Sequence, residues 1–194
     1  MSLSTDNWLL PTDVKRIVVV GTSGSGKTTF ARSLAQRLGY PHIELDSLHW
    51  LPNWTEAPLE LFRERVTQAV ASEYWVIDGN YGKVRDIVWS RADTIVWLDY
   101  PLWVALWRLL KRTARRVLMG EELWSGNREN FRSAFVGRES LFVWAITSRP
   151  RHHRDYPRLL REEYAHLRLF HFYSPREAER WMRGATLNRV PNQL

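Results

Sequence analysis

The chain has 194 residues, 44% of them hydrophobic and 25% charged, with 11 Trp and no Cys. That size suits one well-cored domain, and the composition excludes wholesale disorder, disulfides and Cys-based metal sites or nucleophiles. The net charge of +7 suits nucleic acid, a membrane surface or a polyanionic small molecule; 24 of the 28 basic residues are Arg, which an Arg-rich proteome also explains, so their positions carry more information than their sum. No apolar run approaches the ~20 residues of a membrane-spanning helix, and no cleavable apolar leader is read, so the expectation is a soluble cytoplasmic chain with no membrane partner.

Residues 1–13 are polar and Pro-punctuated. Lys15 to Val20 is a β-branched run closed by Gly21, read as a buried parallel strand, and Phe30, Leu34 and Leu38 then recur at helical spacing up to a capping Gly39. A second strand is expected at His42 to Leu45, then a Trp- and Pro-rich loop, Trp50 to Trp54, and a helix from about Leu59 to Ala71. Strands at Trp75 to Ile77 and Thr94 to Leu98 flank a short helical stretch. From Leu102 to about Leu118 the pattern is helical and basic, with Arg108, Lys111, Arg112, Arg115 and Arg116. Gly120 and Gly126-Asn127 interrupt it before a second helix, about Arg128 to Thr147, with Phe131, Arg132, Phe135 and Arg138. After a basic segment, Arg149 to Arg161, comes a fifth strand at Leu167 to Phe172, and Ser174-Pro175-Arg176-Glu177 opens a last helix with a capping Ser and Pro at the first helical position. Strands alternating with helices imply right-handed βαβ units and a parallel sheet.

Gly21-Thr22-Ser23-Gly24-Ser25-Gly26-Lys27-Thr28 fits G-x-x-x-x-G-K-[ST] and lies between a strand and a helix, as a P-loop requires. The glycines let backbone N–H groups turn inward around phosphates at a helix N-terminus. Lys27 is expected to reach the β and γ phosphates of ATP, and the Thr28 hydroxyl to ligate Mg²⁺. Strand ends in an open parallel sheet meet at one crevice, and Asp46, Asp78 and Asp99 stand at such ends. Asp78 is assigned to the metal environment; Asp99 is either a metal group or a helix cap, and Asp46 either the general base of a phosphoryl acceptor or a turn residue. Arg108 and Arg112 share one helix face, where their forked guanidinium groups suit transferred charge. His152 and His153, adjacent in a basic segment without metal-ligand spacing, read as solvated.

The ordered set GTSGSGKTT, IELDSLHW, WVIDGNY, WLDYP, Arg108 with Arg112, LWSGNRE and SPREAERW resembles the adenylate kinase-like small P-loop kinases, and more narrowly the bacterial branch labelled topology modulation protein. The likeness spans nearly the whole chain. It implies one domain over residues 1–194 in a three-layer P-loop fold, a five-stranded parallel sheet in the order 2-3-1-4-5 with helices on both faces, an acceptor arm at 46–72 and a helical lid at 113–150. It implies an ATP site drawn from Gly21, Ser23, Gly24, Ser25, Gly26, Lys27, Thr28 and Thr29, with Arg108 near adenine, Arg112 on the transferred phosphate, and Ser174 and Pro175 beside the base. Asp46, His49, Trp50, Arg63, Asn80 and Arg85 are the acceptor-side candidates.

Nucleoside monophosphate kinases resemble D-x-x-R after the second strand and D-G-x-P-R after the third, where two Arg bind the acceptor phosphate; here those positions hold His49 and Gly82. Two lost guanidinium groups, each contributing about 1.5–3 kcal/mol, argue against AMP unless Arg63, Arg65 or Arg85 compensates. Three function classes follow. A kinase acting on a small molecule ranks first. A nucleotide-dependent DNA-binding regulator draws on the charge but lacks a recognised nucleic-acid motif, and an ATPase switch needs no acceptor. Oligomeric state is not readable.

Overall fold

The computed structural model describes residues 13–128 and 141–184. Five parallel strands form the sheet: β1 (Arg16–Gly21), β2 (His42–Glu44), β5 (Trp75–Asp78), β6 (Thr94–Leu98) and β7 (Arg168–Phe172), in the spatial order β2-β5-β1-β6-β7. Counted along this sheet, that is the expected 2-3-1-4-5. Two short strands, β3 (Trp50–Leu51) and β4 (Thr55–Glu56), pair antiparallel as a separate hairpin. The helices are α1 (Lys27–Leu38), α2 (Leu45–His49), α3 (Leu59–Ala69), α4 (Arg85–Arg91), α5 (Leu102–Met119), α6 (Leu141–Glu162) and α7 (Pro175–Gly184).

The sheet is buried on both faces because successive strand residues point to opposite sides and both sides are apolar. Val18, Val20, Ile77, Ile95 and Trp97 pack with Phe62 and Val66 of α3, Trp89 of α4 and Tyr156 and Leu159 of α6. Ile17, Val19, Val76, Val96 and Leu98 pack on the other face with Leu34 and Leu38 of α1 and Trp181 of α7. The result is three layers. Register places Val19 beside Asp78 and Gly21 beside Leu98, so β1 and β6 end together just past the end of β5, and the loop after β1 opens at their carboxyl edge.

Strand and helix boundaries follow the periodic pattern closely except in the last third. The helix expected at about Arg128 to Thr147 falls largely on residues 129–140, outside the described residues, together with Phe131, Arg132, Phe135 and Arg138. Past them, α6 continues to Glu162 through Pro150 and Pro157. Proline costs an intrahelical hydrogen bond, but Ala145, Tyr156 and Leu159 of this helix are buried, and that packing holds the helix across both breaks. The final helix starts as its sequence implies: the Glu177 amide donates to Ser174 Oγ at 3.3 Å, and the Tyr173 amide donates to Glu177 Oε2 at 3.0 Å.

Candidate active site

The P-loop wraps around the start of α1, and its glycines are needed there. At Gly24, φ is +83° and an added Cβ would sit 2.2 Å from the Ala105 carbonyl oxygen; at Gly21, φ is +153° and it would sit 2.5 Å from the Leu98 oxygen. Only glycine lets the backbone pass that close to β6 and α5. The Lys27 ammonium folds back onto the Thr22 carbonyl at 3.3 Å. Arg108 of α5 donates to the Ser25 carbonyl at 3.0 Å and lays its guanidinium over the Tyr100 ring at 5.6 Å, so a cation stands at the loop's outer side. Ser23 is half-buried, Thr29 is exposed, and Pro175 begins α7.

At the inner side, Thr28 Oγ1 donates to Asp78 Oδ2 at 2.6 Å, while His42 Nε2 bonds the other carboxylate oxygen at 2.9 Å. These oxygens form a hard-donor set at a helix N-terminus, which fits Mg²⁺ beside phosphates. His42 was not among the residues singled out from sequence; its place comes from the pairing of β2 with β5, which sets Glu44 beside Asp78 and brings the preceding imidazole into reach.

Asp46, on α2 just after β2, accepts from Tyr81 Oη at 2.5 Å. Burial pushes its carboxyl up, while the Tyr81 hydrogen bond and the Lys27 and Arg112 charges pull the other way without cancelling it. Burial likewise pushes the Lys27 amine down against the pull of Asp78 and Asp46. Lys27, Asp46, Asp78 and Arg112 therefore feel one another, and two carboxylates, an ammonium and a guanidinium are gathered in one place. His49 is buried among Phe62, Tyr81 and Trp50, with ring centroids 4.8, 4.6 and 4.9 Å away. Its pKa is lowered, chiefly by burial, and among the described residues its Nδ1 has no partner. Trp50 also meets Trp54 edge-on at 5.5 Å.

Three acceptor-side candidates are engaged by other groups. Arg63 forks onto Asp86 at 2.6 and 2.9 Å at the surface, satisfying a guanidinium that nothing draws inward. Arg85 lies over Trp89 and Tyr156, at 5.1 and 5.7 Å, and lines a small cavity of about 10 Å³ together with Leu45, Asn80 and Tyr81. Asn80 is a brace: its amide exchanges hydrogen bonds with the backbone N–H and carbonyl of Gly21.

Asp99 also needs correction. It neither caps α5, whose start at Pro101 has no side-chain cap, nor joins the metal-type oxygens. It accepts from His153 at 2.7 Å and His171 at 3.2 Å, with Arg149 at 3.4 Å. Burial pushes Asp99 up, but the bonds from His171 and His153 and the nearby positive charge outweigh it and hold the pKa below the usual value. The two adjacent histidines are thus not simply solvated. His153 is tied to Asp99, and His152 is buried against the Tyr156 ring at 4.7 Å, its pKa pulled down to about 4 chiefly by burial. The reason is α6: a helix through this segment turns one histidine inward, which charge runs alone do not reveal.

Among the described residues no helix is long and apolar enough to cross a membrane. Comparison with known proteins matches residues 17–122 to the AAA domain family model. The chain is 29% identical to the uncharacterized protein YqaC of Bacillus subtilis over 68% of this chain and 71% of the relative. It is 30% identical to a shikimate kinase of Synechococcus elongatus, covering 61% of this chain and 73% of the relative. Among solved structures, a shikimate kinase from Acinetobacter baumannii in complex with shikimate superposes with a TM-score of 0.55 at 18% identity over 89% of this chain and 94% of the other. A gluconokinase from Sinorhizobium meliloti gives 0.50 at 21% over 87% and 91%. These structural likenesses show the fold, the P-loop kinase arrangement of a parallel sheet between helical layers. With a family model covering more than half its length and a shikimate kinase as a relative, the chain belongs to the AAA domain family, among the small P-loop kinases.

Proposed function

We propose that the protein is an ATP-dependent phosphotransferase of adenylate kinase-like organisation that moves the γ-phosphoryl group of ATP to a hydroxyl of a small molecule. The observation that carries this reading is the convergence of Lys27, Asp46, Asp78 and Arg112, with Thr28 and Asp78 2.6 Å apart, at the mouth of a glycine cradle. The P-loop amides and Lys27 bind the β and γ phosphates, and Arg108 borders the nucleoside side. Thr28 and Asp78 would hold Mg²⁺, which when bound neutralises charge on those phosphates.

Asp46 takes the proton of the acceptor hydroxyl. The freed oxygen forms a bond to the γ-phosphorus as the bond from that phosphorus to the β–γ bridging oxygen breaks, and ADP departs with the electron pair. Lys27 and Arg112 neutralise the charge spread over the transferring oxygens. A carboxyl raised by burial is a stronger base than one in water, which suits Asp46 to this step. Residues 46–72 serve as the acceptor arm, and residues 113–150 serve as the lid of a single domain. Arg63 is held by Asp86, Arg65 donates to the Leu48 carbonyl at 3.2 Å and Arg85 lies over Trp89 and Tyr156, so the loss of arginines at His49 and Gly82 argues against AMP as the acceptor.

The test is a panel of hydroxylated metabolites, nucleosides and nucleotides assayed for acceptor-dependent ADP release. At least one acceptor must raise turnover in the wild type and not in Lys27→Ala. Hydrolysis that no acceptor stimulates would replace this reading with an ATPase switch.

A further inference from the structure

Beyond the residues that meet substrates, one contact joins two stretches of chain more than seventy residues apart without help from the core. Residues 122–128, which follow the arginine-bearing helix α5, form a tight loop closed by a bridge between Glu122 and Arg128 and by the Leu123 amide donating to the Asn127 carbonyl at 2.7 Å. This loop sits on the hairpin that follows His49. Ser125 Oγ donates to the Trp50 carbonyl at 2.8 Å. Asn127 Nδ2 donates to the carbonyls of Leu51 and Trp124, both at 2.9 Å, while its Oδ1 accepts from the Trp54 amide at 2.9 Å. The Trp54 indole donates to the Arg128 carbonyl at 3.1 Å, and the Trp124 indole donates to Glu44, two residues before Asp46, at 3.1 Å.

Two features set this contact apart from ordinary packing. Asn127 is only 4% exposed, yet Ser125, Gly126 and Arg128 around it are exposed, as are Pro52 and Asn53 opposite, so hydrogen bonds rather than apolar area hold the two loops together. In addition, Asn53 and Trp54 both have left-handed backbones, with φ of 60° and 53°, facing Ser125 at 59°. Side chains such as Trp rarely adopt that conformation and keep it only where surrounding bonds impose it. The Trp54 amide and indole are both held by the opposing loop.

We propose that Asn127 is a positioning residue for the acceptor. It clasps the hairpin at 50–56 to the loop after α5 and thereby holds His49 and Trp50 in place beside Asp46. The clasp also ties the helix bearing Arg108 and Arg112 to the acceptor side. This rests on the kinase reading for its substrate but not for its geometry, so the two fail separately.

Amide exchange measured by mass spectrometry on Asn127→Ala is the first arm. Exchange across residues 50–57 must rise at least about tenfold, while the core strands β1 and β5 stay protected as in the wild type. Asn127→Asp keeps the oxygen that accepts from Trp54 and loses both donations, so it must fall between wild type and Ala. Ser125→Ala, which removes one bond from an exposed residue, must shift exchange in the same direction by less, and it serves if the Asn127 variants fold poorly.

The second arm uses an acceptor found by the panel above. Its KM must rise about tenfold or more in Asn127→Ala, with kcat and the calorimetric affinity for a non-hydrolysable ATP analogue within about twofold of wild type. Unchanged exchange at 50–57 overturns the clasp, and so does loss of kcat or ATP affinity with KM unmoved. If no compound in the panel accepts phosphate, the kinase reading falls while the exchange arm still decides the clasp.

Discussion

The phosphate end and the acceptor end of the cleft are built by different means. In the proposed reaction the phosphates meet backbone: amides of the Gly21–Thr28 loop, steered by glycines whose added Cβ atoms would strike Leu98 and Ala105, with one ammonium and one hydroxyl from the same stretch. The proposed acceptor end is built of side chains drawn from several places: Asp46 and His49 on α2, Tyr81 after β5, and the loop at 122–128 packed on Trp50 and Trp54. A backbone cradle serves any nucleoside triphosphate in the same way. A side-chain wall changes with every residue, which is why one end is common to many proteins and the other must be worked out for each.

Lys27→Ala tests the phosphate end most severely. It should lower acceptor-dependent ADP release by about 10³-fold without unfolding the chain, because the lost charge acts where negative charge develops. Asp46→Asn tests the acceptor end, with an expected loss of about 10²-fold at unchanged affinity for an ATP analogue. The same substitution separates function from stability. Because burial raises the folded-state pKa of Asp46, the folded chain holds that proton more tightly than the unfolded chain, and stability is lost as pH rises through the window between the two values. Asp46→Asn should therefore raise the melting temperature at pH 7–8, and the gain should vanish at a pH below the ordinary carboxylate value of about 4.

His152 works with the opposite sign. Its pKa falls from 6.5 to about 4 in the folded chain, so the unfolded chain binds the proton first and stability is lost as pH drops through that window. His152→Phe, which keeps a ring against Tyr156, should flatten the loss between pH 6.5 and 4 by up to about 3 kcal/mol in denaturant titrations. The smallest expected effect belongs to Asn80→Ala. Freeing the Gly21 backbone should weaken binding of an ATP analogue about three- to tenfold by calorimetry, with little change in acceptor KM. A larger effect on KM than on nucleotide affinity would move Asn80 back to the acceptor side.

The P-loop and the alternation of buried strands with helices were legible because each rests on short-range regularity, whereas the strand order came only from the resemblance of the ordered motifs. β-branched runs such as Ile17 to Val20 place side chains on two faces, and G-x-x-x-x-G-K-T is readable from one short unbroken stretch. Where regularity was interrupted, local reading failed: Pro150 and Pro157 hid the continuation of α6, and with it the burial of His152 and the bond from His153 to Asp99. Arg63, Arg85 and Asn80 were right in neighbourhood but wrong in direction, since a guanidinium or amide goes to whichever partner the tertiary fold puts nearest.

By itself, then, the order of residues determined the alternation of strands and helices and the place of the P-loop at the start of the first long helix, because both are written in residues a few positions apart. Tertiary structure alone decided that His42 backs Asp78, that Tyr81 meets Asp46 and that Asn127 holds Trp54. Those pairs lie 35 to 73 residues apart in the chain, and no periodicity or spacing encodes which distant hydrogen-bonding groups will meet once the sheet has closed.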